Sequence, residues 1–241
     1  MQIIPIHIKK EITVDDDLSE LILHSGDVLD GDILVIAQKI ISKQEGRTVK
    51  LSSVSPSLLS QGISSQYDKD PNVVELILSE SKRIVRMNRG IIIVETNHGF
   101  ICANAGIDES NVADGFATLL PLNSDKSAEL IRNKILDETG KNIAIIIADT
   151  FGRPFRMGQT NCAIGISGLN PILDYSGTLD SFDRILRVTA IAVADELSAA
   201  AELVMEKTKK SPVVIIRNYS YDLMDKSIDD LIRPENEDLF K

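Results

Sequence analysis

The run Ile143-Ala144-Ile145-Ile146-Ile147-Ala148 ends in Asp149-Thr150. A carboxylate and a hydroxyl at the end of a buried strand are hard oxygen donors held at the edge of a core, the chemistry of a divalent-cation site. The same acid could instead cap the next turn, and this segment alone does not separate the two. The chain continues as Phe151-Gly152-Arg153-Pro154-Phe155-Arg156-Met157-Gly158-Gln159-Thr160-Asn161. Guanidinium forks suit phosphate or carboxylate, and glycine lets backbone approach a ligand. The stretch therefore reads as an anion-binding loop beside the acid in preference to an ordinary surface loop.

Two further clusters carry candidate chemistry. Asn104-Ala105-Gly106-Ile107-Asp108-Glu109-Ser110-Asn111-Val112 presents Asp108 and Asn111 as oxygen ligands or nucleotide contacts. Asp/Asn clusters also make turns through side-chain to backbone hydrogen bonds, which is the commoner use. Ile41-Ser42-Lys43-Gln44-Glu45-Gly46-Arg47 places Lys43 after an apolar run, either as a point charge for phosphate or as a solvated lysine near a turn. Other chemistries lack their signatures. Gly140-Lys141 is followed by Asn142 rather than Ser or Thr, no Gly-x-Gly-x-x-Gly occurs, and His7, His24 and His98 form no His-x-x-x-His. No Gly-x-Ser-x-Gly elbow is present for a serine hydrolase.

The elements that must position these residues are legible in part. Ile33 to Ala37, Gly90 to Val94, Ile143 to Ala148 and Val213 to Ile216 are short, β-branched apolar runs and predict buried strands. Asp70-Pro71 predicts a helix start, with Val73, Ile77 and Ile84 on one face. Ser124-Asp125 leads into a helix carrying Ala128, Ile131 and Ile135, with Gly140 to end it. Within the serine-rich stretch from Ser52 to Ser65, Ser55-Pro56 predicts a short helix that buries Leu58, Leu59 and Ile63. Ile191 to Met205 predicts a long amphipathic helix, with Val193, Leu197, Ala200 and Val204 on one face and Asp195, Glu202 and Glu206 on another. Strands and helices mix without strict alternation, so the fold class is α+β.

Composition bounds the partners. The 241 residues hold 26 Lys and Arg against 36 Asp and Glu, a net charge of −10 that disfavours a broad footprint on nucleic acid or an anionic membrane. Any phosphate site is then local. Two cysteines, Cys102 and Cys162, sit outside any Cys-x-x-Cys pattern, and no apolar run approaches membrane-spanning length. A reducing cytoplasm is the expected compartment.

Taken in order, Ile41-Ser42-Lys43 with Glu45-Gly46-Arg47, Asn104 to Val112, and Asp149 to Gln159 resemble the coenzyme F420:L-glutamate ligase family. Val193-Ala194-Asp195-Glu196-Leu197 and Pro212-Val213-Val214-Ile215-Ile216-Arg217 are similar to that family as well, so the resemblance runs over nearly the whole chain. It implies a GTP-dependent γ-glutamyl ligase that adds L-glutamate to a deazaflavin coenzyme precursor through an acyl phosphate. Mg or Mn is implied as cofactor, potassium as a further ion, and an intertwined homodimer of mixed α+β fold as the assembly. By position, Asp108 and Asp149 match the family's metal carboxylates, Thr150 a ligand of a second metal, and Lys43 and Asn111 nucleotide contacts. Arg153 and Arg156 are assigned to the remaining anionic charge, with ordering of its own loop the alternative for Arg153. Residues 1–241 read as a single ligase unit, without the flavin-reductase-like domain fused in some relatives.

Two stretches depart from the family pattern. A Gly-Leu/Ile-Pro signature near the N-terminus is replaced by His7-Ile8-Lys9-Lys10-Glu11-Ile12, and a glycine-rich loop before the last strand by Glu206-Lys207-Thr208-Lys209-Lys210-Ser211. Glu206 is then a candidate ligand of the second metal or a solvated helix-end acid. Lys207 and Lys209 are candidates for phosphate or complements to a helix C-terminus. The altered stretches leave two other readings open: a γ-glutamyl ligase for another acidic cofactor, and a nucleotide-sensing protein that keeps the metal site without turnover.

Overall fold

A computed structural model describes residues 1–207 and 209–239. In chain order the elements are β1 (Gln2–Ile6), α1 (Leu18–Ser25), β2 (Ile33–Ala37), α2 (Gln38–Gln44), β3 (Thr48–Lys50), α3 (Leu58–Tyr67), α4 (Pro71–Ser79), β4 (Ser81–Asn88) and β5 (Ile91–Thr96). Next come β6 (Ile101–Ala103), β7 (Phe116–Thr118), α5 (Ser124–Thr139), β8 (Ala144–Gly152), β9 (Gln159–Ser167), β10 (Leu173–Asp174), β11 (Ala190–Ile191), α6 (Val193–Met205) and β12 (Val213–Arg217). The class is α+β, as the mixed pattern predicts.

A five-stranded sheet in the order β1-β12-β2-β8-β9 forms the centre. Only the β2–β8 pair is parallel, so the sheet is mixed. Its central strands are apolar on both faces because each face is covered. Leu34, Ile36, Ile145 and Ile147 pack with Ile22, Ile131 and Ile135 from α1 and α5. Val35, Ile146 and Val214 pack on the opposite side with Leu197, Ala201 and Met205 from α6. A separate core, including Ile63, Val74, Ile77, Ile92 and Val94, joins α3 and α4 to the β4-β5-β6 sheet. No helix among the described residues is long and apolar enough to cross a membrane.

The four predicted strands are present, and the cap signals hold with shifts. Asp70 caps α4 by accepting from Asn72 N at 2.7 Å, and Gly140 ends α5 at φ 70°. The α5 cap is Asn123, which accepts from Lys126 N at 2.9 Å, one position before the predicted Ser124. Three side-chain expectations fail. Ile84 is not on α4: that helix stops at Ser79, and Ile84 lies on β4 at 37 % exposure. Ser57 caps α3 in place of Ser55, and of its apolar residues Ile63 is buried while Leu58 and Leu59 are exposed. With the start two residues later, Leu58 and Leu59 turn to solvent.

Candidate active site

β8 outruns its neighbour. The β2–β8 ladder ends at Ala37↔Ala148, where β2 turns into α2, whereas β8 continues to Gly152 paired only with β9. Asp149 and Thr150 therefore lie within a hairpin and not at a strand end, which corrects the sequence expectation. Past Ala148 one edge of β8 is open, and a cleft of about 810 Å³ wraps it. That volume suits a small-molecule ligand. Lys43, Asp108, Asn111, Asp149, Thr150, Glu206 and Lys207 all line this cleft. Sequence positions spread over most of the chain thus converge.

Asp149 faces the cleft among partly apolar surroundings. Burial pushes its carboxyl up to about 6, the neighbouring Asp108 adds to the rise, and the Thr150 N–H, Lys207 and Lys39 oppose it. Asp108 sits on the segment bridged to Thr118, with backbone hydrogen bonds of 3.1 and 2.8 Å in the two directions. Its Oδ1 accepts from Ser110 N at 2.7 Å, so the turn-forming reading is correct as far as it goes. The other oxygen, Oδ2, accepts from Lys39 Nζ at 2.6 Å and Ser110 Oγ at 2.9 Å. Burial works to raise Asp108, but these hydrogen bonds and the Lys39 charge outweigh it and hold the group below the ordinary carboxylate range. The two acids are thus electrostatically unequal.

Lys43 lies in the last turn of α2, mostly buried, paired with Glu11 and donating to the backbone oxygen of Asn111 at 2.8 Å. Asn111 therefore serves Lys43 through its carbonyl, and its left-handed backbone at φ 53° presents that oxygen. At the other side of β8, Lys207 Nζ donates to Thr150 Oγ1 at 2.6 Å. Glu206 pairs with Lys209 and bends the chain at φ 45°, while Lys210 stands at φ 53°. These are conformations that glycine adopts most easily, so non-glycine residues here hold a backbone shape of the kind a glycine-rich loop takes. Thr208 lies outside the described residues.

Arg153 and Arg156 are apart from this group. They sit at the exposed tip of the β8–β9 hairpin, outside the cleft wall. Arg153 Nη2 donates to Met157 O at 2.8 Å and Nε to Gly158 O at 3.4 Å, so in this chain it orders its own loop. The expected anion-binding loop is shorter than its sequence suggests, because Phe151 and Gly152 belong to β8 and Gln159, Thr160 and Asn161 to β9.

Two residues of the site, Lys39 and Glu202, escape sequence reading, and a third, Asn161, has a different role from the one expected. Lys39 precedes Lys43 by one helical turn, and helical spacing alone puts both on one face. Glu202 stands one turn before Glu206 in the same way, near the end of α6. Asn161, the last residue of the stretch read as an anion-binding loop, is 4 % exposed on β9 and pairs with Thr150 across the hairpin.

The donors fit a hard divalent cation by their chemistry. Two carboxylates and a hydroxyl offer oxygen only, and ammonium groups from Lys39 and Lys207 already rest against Asp108 and Thr150. Among the described residues no three His, Cys, Asp or Glu side chains gather as one cluster, so backbone, hydroxyl or substrate oxygens must complete any shell.

An α+β chain with carboxylates and lysines lining one ligand-sized cleft has the equipment to handle anionic substrates. Residues 7–218 match the F420-0:Gamma-glutamyl ligase family model, and the chain belongs to that family. It is 48 % identical over 234 residues to the coenzyme F420:L-glutamate ligase of Methanothermobacter thermautotrophicus, covering 94 % of this chain and 93 % of that protein. The corresponding ligase of Methanocaldococcus jannaschii is 46 % identical over 226 residues, covering 93 % and 90 %. That of Archaeoglobus fulgidus is 38 % identical over 242 residues, covering 100 % and 96 %.

Proposed function

We propose that this protein is a GTP-dependent ligase that adds L-glutamate to the deazaflavin precursor coenzyme F420-0, forming an amide and releasing GDP and phosphate. The observation that carries the reading is the placement of Asp108 and Asp149, each with lysine charge nearby, on one cleft of a chain that belongs to the ligase family. Residues 1–241 act as one ligase unit in the cytoplasm.

Amide formation from a carboxylate needs an activated acyl group. A substrate carboxylate oxygen attacks the γ-phosphorus of GTP, the bond to the β-phosphate oxygen breaks, and GDP leaves. The amine of L-glutamate then attacks the acyl carbon and expels phosphate, losing its proton to solvent or a cleft carboxylate. No protein nucleophile is needed. Lys43 and Lys207 supply positive charge toward the nucleotide phosphates, and the Asn111 carbonyl fixes the Lys43 ammonium at 2.8 Å. Asp108, Asp149, Thr150 and Glu206 would hold Mg or Mn, with potassium as a further ion. Bound at these residues, such ions would supply positive charge that offsets the repulsion between the nucleotide phosphates and the anionic substrate.

The reading includes a homodimer. Phe155 and Met157 at the hairpin tip are 89 % and 97 % exposed, and Phe182 and Val188 between β10 and β11 are 76 % and 89 % exposed. Apolar surface exposed on these two excursions from the sheet suits a second copy of the chain. Arg153 and Arg156 ride on the first of these excursions, and their role toward anionic substrate is exerted across the dimer.

Mass spectrometry of the product from F420-0, L-glutamate and Mn²⁺ with GTP or ATP tests the reading. A glutamylated precursor formed with GTP is expected. Ligation only to another acidic acceptor would move the substrate assignment, and tight GTP binding without GDP release would identify a sensor.

A further inference from the structure

A ring of polar contacts ties the outer half of the β8–β9 hairpin to α6. Thr150 Oγ1 donates to Asn161 Oδ1 at 2.7 Å, and Asn161 Nδ2 donates to Glu202 Oε2 at 3.0 Å. Glu202 Oε1 lies 3.5 Å from Lys207 Nζ, which closes the ring by donating to Thr150 Oγ1 at 2.6 Å. Asn161 is buried on β9, and Glu202 is partly exposed at the cleft.

The chemistry of the ring has a direction. A carboxylate accepts only, so Glu202 compels the Asn161 amide to turn its NH₂ toward α6 and its carbonyl oxygen toward Thr150. The single hydroxyl proton of Thr150 is then committed to Asn161. Both hydroxyl lone pairs are left for cations, and the Lys207 ammonium occupies one of them. The flipped amide would set a donor against Thr150, use up a lone pair and free the hydroxyl proton to point into the cleft.

We propose that Asn161 and Glu202 are positioning residues that lock the Thr150 hydroxyl into a purely accepting orientation toward a cation in the cleft. This inference rests on the reading of Thr150 as a cation ligand. Lys207 holds that position until a divalent ion or a phosphate draws it away.

The test titrates Mn²⁺ alone into metal-free protein and monitors free Mn²⁺ by electron paramagnetic resonance. Asn161→Ala is expected to weaken binding about 10-fold, within the range for residues that orient a ligand. Glu202→Gln, a partly exposed change that leaves the core intact, is expected to weaken it severalfold. Thr150→Val weakens it at least as much, and neither change adds a further loss in the Thr150→Val background. In the loaded enzyme the losses appear in the Mn²⁺ concentration for half-maximal rate, with kcat recovered at saturation. Wild-type affinity in Glu202→Gln, or equal losses with and without Thr150, would overturn the proposal even if Asn161→Ala fails to fold. Unchanged affinity in Thr150→Val overturns it through its premise. Wild-type protein that binds no Mn²⁺ overturns the metal reading itself.

Discussion

The β8–β9 hairpin has two halves that the chain treats differently. In the inner half, Ala144 to Ala148 opposite Ala163 to Ser167, β8 has a neighbour on each side and both faces are covered. In the outer half, Asp149 to Gly152 opposite Gln159 to Cys162, the β2 side is open and a cleft takes the place of a strand. Asp149 and Thr150 stand just past that boundary. The core fixes the backbone that carries them, and the open edge gives their side chains access to ligand. Beyond them the tip is exposed to solvent. A site is built where rigidity and access overlap, over a very short length of chain.

That comparison can be broken in several places. The largest effect belongs to the boundary acids: Asp149→Asn and Asp108→Asn are expected to lower ligation by about 10³-fold, the scale of losing a charge-stabilising group, with the fold retained in circular dichroism. Wild-type rates in either variant would return that acid to a turn-forming role. Stability separates the halves in the opposite sense. Ile146→Ala in the inner half should cost about 2–5 kcal/mol in urea unfolding, whereas Thr160→Ala in the outer half should stay within about 0.5 kcal/mol. Equal costs would erase the distinction.

The tip is tested by assembly. Phe155→Asp with Met157→Asp is expected to halve the mass measured by light scattering, while the unmodified protein runs as a dimer. The smallest effect is a pH dependence. Asp149 has its folded pKa raised from 3.8 to about 6, so the folded chain takes up its proton first as pH falls. From this group, stability is lowest above about pH 6, rises as pH falls from 6 toward 3.8, and gains nothing further below the unfolded value. Asp108, held low, works the other way and loses stability as pH falls through its folded pKa. Metal-free Asp149→Asn should therefore melt higher than the parent at pH 7.5 and lack the rise toward pH 5. An identical pH profile in the two proteins would show that burial of Asp149 carries no cost.

The inner half was legible in the sequence and the outer half only partly. Runs such as Ile143 to Ala148 declare themselves because strands covered on both faces must be apolar throughout. Asp149 is legible as the polar interruption of such a run, but its place inside a longer strand is not, since residues facing a cleft lose the apolar pattern that marks a strand. Asp108 and Lys43 were legible as chemistry, and the family resemblance gave them roles. Lys39 is hidden by its neighbour of the same charge, and Asn161 reads as part of a loop because its bond to Glu202 on α6 joins segments distant in sequence. Leu58 and Leu59 misled for a related reason: a cap shifted by two residues rotates a helix face without changing the composition of the segment.

The most direct measurement of the central claim traces oxygen. With F420-0 carrying ¹⁸O in its reacting carboxylate, the proposed attack on GTP transfers one labelled oxygen to the phosphate released. Inorganic phosphate bearing a single ¹⁸O, formed together with GDP and glutamylated product and dependent on L-glutamate, is the predicted result. Glutamylated product accompanied by unlabelled phosphate, or formed without GDP, would contradict the account.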